Sequence, residues 1–162
     1  MKSMKKTNVM RILDSAKIPY EAKEYVYNDD DLNGCHVAEY LGVAPRTVYK
    51  TLVARSDKGV LCVFCVAVDK ELDLKKAAAA SGNKRVELIH VKELQTLTGY
   101  VRGGCSPVGM KKQLATVFDS AVHKEDSISI SAGQKGIQVV VNAAKLLAFL
   151  HADTADITPG EV

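Results

Sequence analysis

Three short stretches of this 162-residue sequence carry residue types and spacings that permit chemistry. They are "VYKTLV" at 48–53, "GGCSPVG" at 103–109 and "ISISAGQKG" at 128–136. The first offers a lysine beside a threonine, the second offers glycines and a serine, and the third offers Ser131 and Gly133 at a turn. A hairpin tip explains the third stretch equally well, so the prediction of a functional site rests on the first two stretches.

Lys50 lies in a stretch that alternates like a strand buried on both faces, because neither face is plainly polar. Lysine is almost never fully buried without a partner. Lys50 therefore either extends its ammonium to water at the rim of a sheet or serves a site, where it would hold a phosphate or carboxylate or act as a base.

The glycine-rich loop, residues 99–109, is the most unusual loop of the chain. Glycines let a backbone approach a ligand closely and direct N–H groups at an oxygen. A tight surface loop would have the same composition. Cys105 is interpreted as a bystander, because no histidine is near it in sequence.

The four cysteines do not predict a metal or disulfide site. Cys62 and Cys65 form a CxxC inside an apolar run, where positions i and i+3 of a strand point to opposite faces. We therefore expect two buried hydrophobic thiols.

Mixed helical and alternating segments predict an α+β fold. The predicted helices are 5–17, 35–41, 73–82, 91–98 and 142–151, and the predicted strands are 20–27, the Lys50 strand, 60–68, 114–119, 127–131 and 137–141. "SDKG" at 56–59 predicts a hairpin turn. The tail from Thr154 is expected to be frayed, with its first residues pinned as a short edge.

Composition allows several classes of function. Hydrophobic residues are 47%, charged residues 25%, and the net charge is +3 with a pI of about 8.6. This balance permits a nucleic-acid partner without requiring one. No apolar run approaches the ~20 residues of a membrane span, so we expect a cytoplasmic protein without a membrane contact.

Residues 37–53, "VAEYLGVAPRTVYKTLV", also fit a helix-turn-helix, with Gly42 as the turn and Pro45 opening a recognition helix that carries Arg46 and Lys50. This alternative predicts a DNA-binding regulator. The β-branched residues of the supposed recognition helix count against it.

Taken together, "VYKTLV", "LDLKKAA", "TGYVRGGCSPVGMKKQL" and "ISAGQKGIQV" resemble the YbaK family of bacterial aminoacyl-tRNA deacylases, from about Lys6 to Ile157. The match is closest to the branch that acts on cysteine mischarged onto proline tRNA. The resemblance implies one domain over residues 1–162, with helices around a mixed, partly barrel-like sheet.

The resemblance also implies the site. Lys50 would be the essential lysine, and Gly103 and Gly104 would face the aminoacyl ester. The substrate-binding residues would be Tyr20, Asn33, Thr51, Ser106, Ser131, Gly133 and Gln138. Asn33 stands where the family often has an aromatic residue, and Gln138 where it has an acidic one.

The implied chemistry needs neither a metal nor a cofactor. The thiol of the mischarged cysteine would attack its own carbonyl and release a thiolactone, with Lys50 anchoring the phosphate or ribose of the terminal adenosine. A water molecule activated by Lys50 is the alternative. The implied partners are the aminoacyl-adenosine end of the tRNA and prolyl-tRNA synthetase.

Overall fold

In the computed structural model, residues 5–28 and 33–160 are described, and these residues form five helices and eight strands. The helices are α1 (Asn8–Ser15), α2 (Gly34–Leu41), α3 (Leu74–Ala80), α4 (Val91–Thr98) and α5 (Ala143–Leu150). The strands are β1 (Tyr20–Glu24), β2 (Tyr49–Ser56), β3 (Leu61–Ala67), β4 (Val86–Leu88), β5 (Ala115–Asp119), β6 (Ser127–Ser131), β7 (Ile137–Asn142) and β8 (Asp153–Ala155).

The strands form two sheets. One is antiparallel in the order β1-β7-β6, and the other is mixed in the order β4-β2-β3-β5-β8, with parallel pairing at β3–β5 and β5–β8. A parallel bridge between Val48 and Ser129 joins β6 to the start of β2. The α+β prediction with a mixed sheet is confirmed, although the described strands form no closed barrel.

Strand β3 is buried on both faces, as its continuous apolar run predicts. Val63 and Cys65 join a cluster with α1, β6, β7 and α5, while Cys62, Phe64 and Val66 join a second cluster with α3 and β5. Because β3 is the central strand of the mixed sheet, it holds β2 rigidly along the whole of one edge.

Polar caps set most helix ends. Thr7 accepts a hydrogen bond from Met10 N–H, so α1 begins later than residue 5, the start predicted from the sequence. Asp73 and Asn142 cap α3 and α5 in the same way. Gly42, in the left-handed region at φ +69°, ends α2.

The predicted short edge at the C-terminus is confirmed as β8, but the expectation of a frayed tail is wrong as far as Thr158. Ile157 is fully buried and its carbonyl accepts from Asp73 N–H at 2.8 Å. Lys76 also bonds Asp156 at 3.0 Å and the Thr158 carbonyl at 2.7 Å. The tail is therefore fixed against α3.

The helix-turn-helix interpretation is wrong. After α2 and Gly42, Pro45–Thr47 form a single 3-10 turn, and the supposed recognition helix is β2. β2 pairs with β3 from Tyr49↔Ala67 to Arg55↔Leu61. The pairing and two-sided burial favour the extended chain, which β-branched residues also prefer.

Candidate functional site

A groove of about 690 Å³ runs along the edge of β2 that faces away from β3. On this edge β4 pairs only with Ala54–Ser56, and Val48 forms the bridge to β6. Ile89 N–H, just after β4, donates to the Val53 carbonyl at 3.0 Å, and no described strand pairs with the stretch between Val48 and Val53. The groove passes over this open edge, and its other walls come from α2, α4, the loop after β3 and the glycine-rich loop. Its volume lies in the range of small-molecule sites, about 300–1,000 Å³.

Lys50 lines this groove from the middle of the open stretch. It is half-buried and lies opposite the fully buried Val66 of β3. Within the described ranges, its ammonium makes no hydrogen bond or ion pair. The lysine is thus an unpaired positive charge on a strand held by β3, in a concave site.

Thr51 presents backbone groups to the same groove. The Val48 carbonyl accepts from Val68 N–H at 2.9 Å, so this pair belongs to the hydrogen-bonded set of the β2–β3 ladder. Hydrogen-bonded pairs alternate in an antiparallel ladder. Lys50 and Leu52 therefore direct their backbone groups to β3, while Thr51 directs its N–H and C=O into the groove.

The glycine-rich loop contributes one of its two adjacent glycines to the groove. Gly104 N–H donates to the Val101 carbonyl at 2.9 Å, and Gly103 has φ +84°, as in a type II turn. Gly103 lines the groove. Gly104 instead packs on the next loop, where an added Cβ would lie 3.2 Å from backbone atoms of Gln134 and Lys135.

Two further predicted residues of these loops lie outside the groove lining. Ser106 is fully buried, and its hydroxyl accepts from Val108 N–H at 3.3 Å. Gly133, at φ +92°, faces Val9 and Tyr100, which an added Cβ would approach to 3.0 and 3.1 Å. Both residues shape the loops that carry the groove wall.

Tyr20 is also placed away from the groove. Burial is the largest of the causes that raise its pKa, and the carboxylate of Asp14 in α1 adds to the shift. Tyr25 and Tyr27 line the groove instead, and the Tyr27 ring lies 3.1 Å from where a Cβ on Gly136 would stand. The sequence prediction missed both tyrosines, although they follow β1 directly and precede the loop to α2.

Asn33, Ser131 and Gln138, which the sequence analysis expects to bind substrate, line the groove. Asn33 caps α2 by accepting from Cys35 N–H at 2.8 Å. The Gln138 side-chain oxygen accepts from the Ser129 hydroxyl at 2.8 Å, and the Ser131 hydroxyl accepts from Gly133 N–H at 3.1 Å. These hydrogen bonds fix the orientation of the polar side chains in the wall.

None of the described cysteines has an activating partner. Cys105 lines the groove, but burial raises the pKa of its thiol to about 12, so it is a weak nucleophile near neutral pH. Burial also raises the pKa values of Cys62 and Cys65. Within residues 5–28 and 33–160, no three or more His, Cys, Asp or Glu side chains are grouped to hold a metal. No described helix has the length and apolarity to cross a bilayer.

Comparison with known proteins identifies the family. Residues 36–149 match the aminoacyl-tRNA editing domain family. An Enterococcus faecalis protein, EbsC, whose name proposes a Cys-tRNA(Pro)/Cys-tRNA(Cys) deacylase, is 41% identical over 99% of this chain and 98% of its own length. A proline–tRNA ligase of Pelotomaculum thermopropionicum is 37% identical over 48% of this chain, which spans only 14% of the ligase.

Among solved structures, a crystal structure described as a proposed trans-editing enzyme for prolyl-tRNA synthetase superposes with a TM-score of 0.76. It is 25% identical, and 87% of each chain is covered. Together these matches show that the chain belongs to the aminoacyl-tRNA editing domain family and to its YbaK/EbsC-type deacylases.

Proposed function

We propose that this protein is a trans-editing deacylase that cleaves the ester of mischarged aminoacyl-tRNA, with Cys-tRNA(Pro) as its main substrate. One observation carries the proposal: an unpaired lysine and a type II turn glycine line the same groove. The name given to the full-length Enterococcus relative supports the choice of amino acid and tRNA.

Cleavage in this proposal uses the substrate's own thiol. The cysteine sulfur attacks the ester carbonyl, a C–S bond forms and the ester C–O bond breaks. The thiol proton leaves sulfur and is returned to the departing ribose oxygen, so the products are a thiolactone and an uncharged tRNA. An enzyme nucleophile is unnecessary, which agrees with the weakly acidic thiol of Cys105. Holding sulfur against carbonyl supplies the entropic advantage.

The chain's own groups bind the substrate and stabilise charge. In the proposal, the Thr51 N–H and the backbone of Gly103, which lines the groove, meet the carbonyl oxygen, where fixed donors stabilise a developing oxyanion. Lys50 anchors the ribose or phosphate of the terminal adenosine. A water molecule activated by Lys50 is the competing mechanism, and product analysis separates the two.

Prolyl-tRNA synthetase is the proposed partner, and the cytoplasm, where tRNA is charged, the proposed compartment. The similarity to parts of proline–tRNA ligases supports a link with proline charging. A net charge of +3 is modest for a protein that binds tRNA unaided. Delivery of the tRNA by the synthetase would make a strong intrinsic affinity unnecessary.

The test is release of amino acid from proline tRNA charged separately with cysteine, serine, alanine and proline. We expect the cysteine ester to be cleaved at least ~10²-fold faster than the serine ester. A binding pocket alone separates such close analogues by about that much, and the thiol is also the better nucleophile. We also expect trapping to recover the thiolactone. Equal rates on cysteine and serine, with free cysteine as first product, would favour lysine-assisted water.

A further inference from the structure

Arg102 occupies a position that none of the roles above uses. It is the second residue of the type II turn Val101–Gly104, at the corner where the chain reverses. The turn is closed by its own hydrogen bond, and Gly104 packs against the neighbouring loop. The backbone that carries Arg102 is therefore held firmly beside Gly103, and both residues line the groove.

The guanidinium of Arg102 has no hydrogen bond or ion pair with the residues that the structure describes. Arg55 differs, because its guanidinium bonds Glu93 at 3.1 Å. The groove lining thus contains three cations without a partner among the described residues: the half-buried Lys50 and the exposed Lys70 and Arg102. Its described carboxylates, Asp69 and Glu71, lie together in the loop after β3, beside Lys70.

With three cations against two carboxylates, the described lining carries a net positive charge (histidines neutral), and a net positive groove attracts an anionic ligand. The aminoacyl ester is uncharged at its carbonyl, and its α-amino group is not anionic. The anion nearest to the reacting ester is the phosphodiester on the 5′ side of the terminal adenosine. Arginine matches this group because its planar fork donates two parallel N–H bonds to a phosphate.

We propose that Arg102 binds the phosphodiester of the terminal nucleotide, which leaves Lys50 to the ribose and ester end. The inference rests on the proposed function and deepens it. Arg102 is then a positioning residue: the phosphate bond fixes where the nucleotide sits, and Gly103, adjacent in the turn, meets the ester. Substrates that lack the phosphate gain nothing from Arg102.

The experiment compares two substrates, Cys-tRNA(Pro) and 3′-O-cysteinyl-adenosine, which has no phosphate. The variant is Arg102→Gln, and the matched control is Arg85→Gln, an exposed arginine outside the groove without a described partner for its guanidinium. Loss of a hydrogen bond to a charged group predicts a fall of roughly tenfold to hundredfold in kcat/KM on the tRNA. We expect less than a twofold change on cysteinyl-adenosine and no change in the control. Arg102→Lys should recover part of the loss.

A second measurement does not depend on comparing two substrates. AMP and adenosine are compared as competitive inhibitors, and wild type should prefer AMP while Arg102→Gln should bind both equally. Equal loss on both substrates, an unchanged rate on tRNA, or a retained preference for AMP would overturn the inference. If wild type cleaves neither ester, the proposed function itself fails; if wild type cleaves both and only the substrate difference is missing, the inference alone fails.

Discussion

Replacing Lys50 by methionine tests the site with little risk to the fold. Methionine keeps an unbranched apolar side chain and removes only the ammonium. The position lies in a strand between the fully paired β3 edge and the groove, opposite the buried Val66. The ammonium has no partner in the described residues, so its removal leaves no buried carboxylate without its counter-charge. We expect the free energy of unfolding to stay within about 0.5 kcal/mol of wild type or to rise.

The expected loss of activity follows from the single contact removed. A hydrogen bond to a charged group contributes about 1.5–3 kcal/mol. At about 1.4 kcal/mol per factor of ten, kcat/KM on Cys-tRNA(Pro) should fall by roughly tenfold to 150-fold. The kcat/KM of Lys50→Arg should lie between those of wild type and Lys50→Met. Arginine keeps the positive charge, but its planar guanidinium replaces a compact ammonium.

The assay is single-turnover deacylation, run beside thermal unfolding of the same samples. The matched control is Lys58→Met in the turn between β2 and β3, an exposed lysine of the same hairpin outside the groove. It should change neither rate nor stability. A folded Lys50→Met variant that deacylates at a near-normal rate would refute the assignment of Lys50 to the site.

Three further outcomes follow from other residues. Gly103→Ala should lose about 1–2 kcal/mol of stability, because alanine must adopt φ +84°, and denaturant unfolding together with deacylation should show both losses. Tyr49→Phe should raise the free energy of unfolding by about 1 kcal/mol, which is a melting temperature about 2–4 °C higher. The buried hydroxyl has no partner among the described residues, and the ring still packs on Phe118. An unchanged melting temperature would contradict this. Cys105→Ser should keep kcat/KM within about threefold, since burial raises the pKa of that thiol to about 12, and a hundredfold loss would return it to consideration as nucleophile.

The sheet was predictable from the sequence where pattern and burial agree. The apolar run of β3 and the alternation of β2 predicted a two-sided hairpin, and both clusters of buried residues confirm it. The stretch 37–53 was ambiguous because local pattern alone allows a turn and a second helix. Pairing with β3 decides the outcome, and its signal in the sequence, the turn "SDKG" at 56–59, lies outside the ambiguous stretch.

Within the site, the sequence located the loops but not the direction in which each residue faces. Gly103 and Gly104 are adjacent, and only the type II turn determines that one lines the groove while the other packs on Gln134. Tyr20 and Tyr25 lie at the two ends of one extended segment, and only the fold places Tyr25 at the groove. The pairing of β1 with β7 stops at Glu24, after which Tyr25 N–H bonds the Gly136 carbonyl at 2.9 Å.

The half-paired state of β2 explains how a site without a strong nucleophile can be specific. An unpaired strand edge is normally a liability, because its backbone groups invite another chain. Here β3 holds the strand along one edge, and the opposite edge is open only between the bridge at Val48 and Val53, whose carbonyl accepts from Ile89 N–H at 3.0 Å. The gap is too short for a stable added strand, and it lies in the wall of the groove. Lys50 and the Thr51 backbone are therefore rigid without being covered. Such a site acts by positioning, so its specificity should depend on what the substrate itself brings to the reaction.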